Sequence, residues 1–196
     1  MSSHTRELII ESKKHGAHTV LLDKEDWDKV SQYKWFLNRA RTGKLYVRTN
    51  IDHPNGGTLM RKIGGKEYEC KKQTTIALHQ IIVNTPKGMY TDHKNGDTLD
   101  NRKENLRICT NAQNCWNRGK NKNNSHGYKG IKFDGRRRLA PWQAYIGYHG
   151  KRIYIGNYAT AEEAARAYDK KAIELYGEYA VLNFPTLAMM LKEVTQ

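Results

Sequence analysis

Residues 142–177 leave few folds open. "WQAYIGY" and "RIYIGNY" each alternate apolar with other side chains, the period of a strand with one buried face. His149-Gly150 between them suits a tight hairpin turn. "TAEEAARAYDKKAIELYG" then follows at helical period. Thr160 and Glu163 form a capping box, Ala161, Ala165, Tyr168, Ala172 and Leu175 recur along one side, and Gly177 stands where helices commonly end. With "YKGIKF" upstream as a further strand, the stretch predicts a three-stranded antiparallel sheet with one helix packed across it.

Side chains alternate along a strand, so parity sorts the two faces. If Ile131, Phe133, Trp142, Ala144, Ile146, Ile153 and Ile155 meet the helix, the other face shows Lys132, Gln143, Tyr145, Arg152 and Tyr154. That face is basic and aromatic, and a major groove admits a β-ribbon as readily as a helix. "GRRRLAP", with Arg136, Arg137 and Arg138, adds cations suited to phosphates.

Charge supports a polyanionic partner. Lys and Arg number 34 against 20 Asp and Glu, a formal charge of +14 and a pI near 9.7 over 196 residues. That balance is the footprint of a nucleic-acid binder. The excess is concentrated: residues 111–160 hold ten Lys or Arg (118, 120, 122, 129, 132, 136, 137, 138, 151 and 152) and one acid, Asp134. Nothing approaches a membrane span and "MSSHTRELIIESKKHG" lacks a signal peptide's apolar run, which predicts an intracellular, cytoplasmic protein with no membrane partner. Cys70, Cys109 and Cys115 show no C-x-x-C spacing, so neither a disulfide scaffold nor a four-ligand zinc site is indicated, and buried thiols are expected.

"YKGIKF…WQAYIGYHGKRIYIGNYATAEEAARAYDKKAIELYGEYAVLNFP" resembles the Apetala-two/ethylene-response-factor DNA-binding domain over essentially its whole length, with "TAEEAARAYD" and "AVLNFP" as the most specific marks. The resemblance implies groove contacts from Lys129, Lys132, Tyr145, Gly147, Arg152 and Tyr154, with Tyr168 near a phosphate. Tyr145 and Gly147 stand where the family is usually acidic and basic, and Tyr154 replaces a tryptophan. The plant family's target sequence therefore does not carry over.

"YTDHKNGDTLDNRKENLRICT" (residues 90–110) crowds Asp and Asn around one Asp-His pair. Phosphodiester hydrolysis needs a general base and a hard divalent cation on oxygen ligands. His is the natural base near neutral pH, and Asp and Asn supply oxygens that suit Mg²⁺. "NLRIC" reads as a second short strand after the one ending at Asp92-His93, and Thr110 with Gln113 caps a following helix that carries Asn114. Asn95, Gly96, Asp97, Asp100 and Asn101 read as turn residues.

This strand, loop, strand, helix order resembles the HNH endonucleases, whose ββα-metal fold binds one divalent cation, and "ALHQIIVNTPKGMYTDH" resembles the entry seen in their phage and intron-encoded homing branch. The resemblance implies His93 as general base, Asn105 as the middle letter that braces the loop, and Asp92 and Asn114 as metal ligands. Mg²⁺ or Mn²⁺ is expected over zinc, because one ligand is an amide oxygen. His79 reads as structural, His53 and His126 as surface residues, and Arg107 and Arg118 as either phosphate contacts or solvated charge.

The expected fold is α+β: a strand-rich N-terminal module (1–75), an HNH ββα-metal module (76–118), a basic linker (119–126), the sheet-and-helix domain (127–185) and a tail (186–196). In the first module "HTVLL" and "KLYVRT" read as strands and "KEDWDKVSQY" as a helix with Asp23 as its cap, while Trp27, Trp35 and Phe36 are expected in the core. "VLLDKEDWDKVSQYKWFLN" weakly resembles the segment that precedes HNH modules in phage enzymes. The resulting expectation is a metal-dependent, site-directed endonuclease of the homing type on double-stranded DNA, with no small-molecule cofactor beyond the metal, nicking as a monomer. A catalytically inactive DNA-binding regulator is the alternative and an RNA-binding module a third. Target sequence and oligomeric state stay open.

Overall fold

Alternation in "TRELIIES" and "GAHTVLLD" makes the first hairpin, β1 (Thr5–Ser12) with β2 (Gly16–Asp23), paired antiparallel from Thr5↔Asp23 to Ser12↔Gly16. Ile10 turns inward and Ile9 outward, as period two requires. The computed structural model to which these elements belong describes residues 4–120 and 124–185. The expected tail and residues 121–123 of the expected linker, Lys122 included, lie outside the described residues. Strands with a few short helices and one long one make the chain α+β, in two units: Met1–Ile108 and Cys109–Gln196.

In the first unit, a 3-10 turn (Lys24–Asp26) leads into α1 (Trp27–Ser31), shorter than the helix expected there. Asp23 does not cap it: its Oδ2 instead accepts from the Lys103 backbone N–H at 2.8 Å. β3 (Phe36–Arg39) pairs with β4 (Leu45–Asp52), and after a hairpin of β5 (Thr58–Ile63) and β6 (Lys66–Lys71) the chain returns as β7 (Gln73–Ala77) on the other edge of β4. α2 (Leu78–Ile82) follows, then a two-stranded sheet of β8 (Tyr90–His93) and β9 (Leu106–Cys109).

One core runs through both parts of this unit. Ile10, Val20, Leu22, Val30, Leu37 and Val47 pack with Leu78, Ile82 and Leu106, and Trp27 and Trp35 lie against them. Phe36 is 37% exposed and outside this core, because Leu37 takes the inward position of β3. The first hairpin also reaches into the loop between β8 and β9. Leu21 N–H donates to Leu99 O at 2.9 Å and Leu21 O accepts from Asn101 N–H at 2.7 Å, a parallel bridge across which Leu21 faces Asp100.

The second unit opens with α3 (Asn111–Trp116), capped by Thr110 and Gln113 as their spacing predicts. β10 (Ile131–Phe133), β11 (Trp142–Tyr148) and β12 (Lys151–Tyr158) form the expected antiparallel sheet, and α4 (Ala161–Tyr176) lies against all three strands. The β11–β12 turn puts His149 at φ 47° and Gly150 at φ 72°, the paired positive values of a hairpin that follows strand twist. Thr160 caps α4 through the Glu163 N–H.

Strict parity fails in two places. A bulge between Ala144 and Tyr145 shifts the β11–β12 register, pairing Ala144 with Gly156 but Tyr145 with Tyr154. Gln143 is buried, held by Asp134 and by the Tyr145 hydroxyl, and Phe133 is 46% exposed, resting on Trp142 instead of entering the helix core. That core consists of Ile146, Tyr168, Ala172 and Tyr176, with Ile153, Ile155, Leu175 and Trp116 packed on it. None of the three cysteines forms a disulfide, and only Cys109 is buried. Among the described residues no helix is long and apolar enough to cross a membrane.

Candidate active site and nucleic-acid interface

β8 ends on Asp92 and His93, both buried, and β9 supplies Arg107 beside them. Arg107 donates from Nε and Nη2 to the same oxygen, Asp92 Oδ2, at 3.0 and 2.9 Å. Neither side chain is more than 9% exposed. A carboxylate this buried requires a counter-charge, and the guanidinium supplies it. Arg107, read from the sequence as a phosphate contact or a solvated charge, is not a solvated charge: it is buried against Asp92.

His93 is held from two sides. Its Nε2 lies 3.3 Å from Asn101 Oδ1, and the ring of His79 meets it edge-on with centroids 5.0 Å apart. Asn101 Nδ2 donates to Thr98 O at 3.4 Å, so the amide turns its oxygen to the histidine. An amide oxygen only accepts, so the proton sits on Nε2 and the lone pair on Nδ1. Burial lowers the His93 pKa, opposed by the Asn101 hydrogen bond and by Asp92 and Asp97. A neutral imidazole with a fixed tautomer is what a general base requires.

The sequence marks Asn101 only as a turn residue. "LDN" reads as ordinary turn chemistry, and the signal that distinguishes Asn101, its backbone bond to Leu21 in β2, is 80 residues away along the chain. Asn105 does brace the loop: its Oδ1 accepts from Asn95 N–H at 3.0 Å, its Nδ2 donates to Asp100 O at 2.8 Å, and its O accepts from Lys94 N–H at 2.8 Å. Asn95, Asp97 and Asp100 make the expected side-chain-to-backbone turns, and Arg102 grips the Asp100 carboxylate with two bonds of 2.8 Å.

His79 is structural in the sense expected, packed between Tyr46 and His93. Burial, with His93 and Arg48 nearby, pushes its imidazole down to about 3 from the ordinary 6.5. Between those values the unfolded chain takes up a proton that the folded chain refuses, so stability falls as the solution is acidified. From about pH 7.5 to about pH 5 this single group withdraws about 2 kcal/mol, with His93 acting in the same direction. Denaturant unfolding at the two pH values should show the loss, and His79→Gln should remove its share. Equal slopes for both proteins would mean His79 protonates alike, folded and unfolded.

A divalent cation is implied by the HNH pattern, and each of the two residues that the pattern assigns to it is of a kind that suits one. The Asp92 carboxylate and the Asn114 amide are hard oxygen donors of the kind Mg²⁺ accepts. Among the described residues no group of three His, Cys, Asp or Glu forms a metal cluster of another kind. Asp92, His93 and Asn105 belong to the first unit. Asn114, half-buried in α3 with its N–H on Thr110 O at 3.0 Å, belongs to the second.

On the sheet of the second unit, Tyr145, Arg152 and Tyr154 cluster: the guanidinium stands 4.1 Å over the Tyr145 ring and the two tyrosine rings are 5.4 Å apart. Lys132, Arg136, Arg137 and Arg138 are exposed, with Arg136 paired to Asp134 through Nε at 2.8 Å. Two expected contacts are turned elsewhere. Tyr168 is 3% exposed, and its ring lies so close over Gly130 that a Cβ there would meet it at 1.9 Å. Lys129 is half-buried with Nζ on the Trp116 and Arg118 carbonyls, and burial draws its ammonium down to about 8.

Known proteins are similar to this chain in two ways. The HNH endonuclease family model matches residues 84–115. An uncharacterized HNH endonuclease of Acanthamoeba polyphaga mimivirus is 30% identical over 84% of this chain and 73% of its own length. Protein 3.8 of Escherichia phage T7 is 32% identical over 62% of this chain and 98% of its own. The chain belongs to the HNH endonuclease family. It is a nuclease, of a class that generally depends on a divalent metal and acts on DNA. A different likeness is local: APETALA2-like protein 2 of Oryza sativa subsp. indica is 44% identical over 57 residues, 29% of this chain and 13% of that protein.

Proposed function

We propose that this nuclease is a metal-dependent, site-directed endonuclease of the homing type, in which an Apetala-two-like domain directs an HNH centre to double-stranded DNA. The observation that carries the reading is His93, fixed through Nε2 by Asn101 beside a charge-paired Asp92. His93 accepts a proton from the attacking water at Nδ1. Asp92 and Asn114 would hold Mg²⁺ or Mn²⁺, which when bound would stabilise charge on the phosphate and the leaving 3′ oxygen. Asn105 keeps the loop in shape, and Asn101 keeps the imidazole in its working tautomer and orientation. One such centre cuts one strand, so a monomer nicks.

Tyr145, Arg152 and Tyr154 face the major groove together with Lys132, and the arginines of residues 136–138 contact phosphates. Tyr168 and Lys129 are not among these contacts, because packing engages both. Incubating the protein with supercoiled plasmid and Mg²⁺ or Mn²⁺ tests the reading: open circles are expected. DNA binding with no nicking under either metal would replace it with the second reading, a DNA-binding regulator. Arg107, already on the Asp92 carboxylate, is the observation that favours that alternative.

Two further results are expected. Asn101→Leu removes the acceptor while nearly conserving volume, and the single-turnover rate should fall about 10- to 100-fold with KM little changed. An unchanged rate in a folded variant would deny Asn101 any hold on the base. Neutralising Arg136, Arg137 and Arg138 should weaken binding to all sequences and flatten its salt dependence by up to about three in slope, whereas Arg152→Ala should change site preference. A preferred site untouched by Arg152→Ala would remove the sheet face from recognition.

A further inference from the structure

α3 has six residues. An isolated helix this short does not persist in water, and its last carbonyls have no partners within it. Its order must come from what it touches, and the second unit grips it at two points.

The first grip is Lys129, whose Nζ donates to Trp116 O at 2.9 Å and to Arg118 O at 2.6 Å, at the C-terminal end where a cation is favoured. The lysine is aimed by its own backbone. Asn183, from the closing "AVLNFP", accepts from Lys129 N–H at 2.6 Å and donates to Lys129 O at 3.1 Å. Asn183 is in turn fixed by Asp169 of α4, which is fully buried and accepts from Asn183 Nδ2 at 3.0 Å and Asn183 N–H at 2.9 Å. The second grip is the Trp116 ring, stacked on Tyr176 at 4.7 Å and 11° and on Tyr148 at 5.6 Å and 26°.

Tyr148 ends β11 and Tyr176 ends α4, so the helix that carries Asn114 is fastened to the frame of the sheet domain. Resting on the reading of Asn114 as a metal ligand, we propose that this domain does more than contact DNA: it positions α3, and with it the Asn114 amide, through Lys129 and Trp116. Both are positioning residues. The lysine that the plant-type resemblance assigns to the groove is used instead to hold part of the cleavage centre in place.

The test uses the full chain with Lys129→Met, Trp116→Leu, Asn114→Ala and, for comparison, Lys132→Met. Three quantities are read: hydrogen exchange of the amides of residues 111–118 without metal, Mn²⁺ affinity by electron paramagnetic resonance titration, and duplex affinity against salt. Lys129→Met and Trp116→Leu should each speed exchange in α3 and weaken Mn²⁺ binding by about tenfold, with duplex affinity within about twofold of wild type. Lys132→Met should do the reverse, weakening duplex binding and lowering the salt slope by about one. Unchanged exchange in α3 for both variants overturns the proposal. So does a Lys129→Met protein that mimics Lys132→Met. Wild-type Mn²⁺ affinity in Asn114→Ala would instead sink the ligand reading and the metal part of the proposal, while exchange still decides whether Lys129 and Trp116 hold the helix.

Discussion

His93→Ala should slow plasmid nicking by about a hundredfold to ten-thousandfold while leaving duplex affinity within about twofold, the range expected when a positioned general base is lost. The effect belongs to the rate and not to binding, because the imidazole is buried at the end of β8 and held by Asn101 and His79, not offered to a phosphate on the surface. Nicking time courses beside a fluorescence-polarisation titration separate the two. A His93→Ala protein that nicks at the wild-type rate would require another residue to take the proton, and Asn101 would then have no base to orient.

Arg107→Met should have the largest effect on stability, about 3–5 kcal/mol in chemical denaturation, because it removes the guanidinium that counters the buried Asp92 carboxylate. The pair is almost fully enclosed, at 9% and 8% exposure, so screening by water does little to soften the loss. Asp92→Asn in the same chain should restore most of it, since the double variant removes the charge along with its partner. A cost below about 1 kcal/mol for Arg107→Met alone would mean that the pair behaves as a surface ion pair does.

What could be read in the sequence was what near neighbours decide. The capping box at Thr160 and Glu163, the His149-Gly150 turn and the Thr110–Gln113 cap all formed where their spacing put them, because each is settled within a few residues. The Asx turns of the loop after His93 formed for the same reason. The departures have distant causes. The bulge at Ala144 and Tyr145 breaks the strict alternation on which the exposed face was counted, and no residue pattern announces it. Asp23 looked like a cap but serves Lys103, and Asn101 looked like a turn residue but serves His93; both depend on pairings some 80 residues apart or on tertiary closure of a loop. Lys129 and Tyr168 show the limit of carrying contacts over from a resemblance: packing against α3 and Gly130 had already engaged them.

The bond between Leu21 and Asn101 bears on how this protein can be cut and rejoined. The stretch matched by the HNH family, residues 84–115, looks like a transplantable cassette. Spliced alone into a foreign chain, it would carry every letter of its signature and leave behind the strand that keeps Asn101 against the histidine. A graft intended to cleave has to begin at the first hairpin.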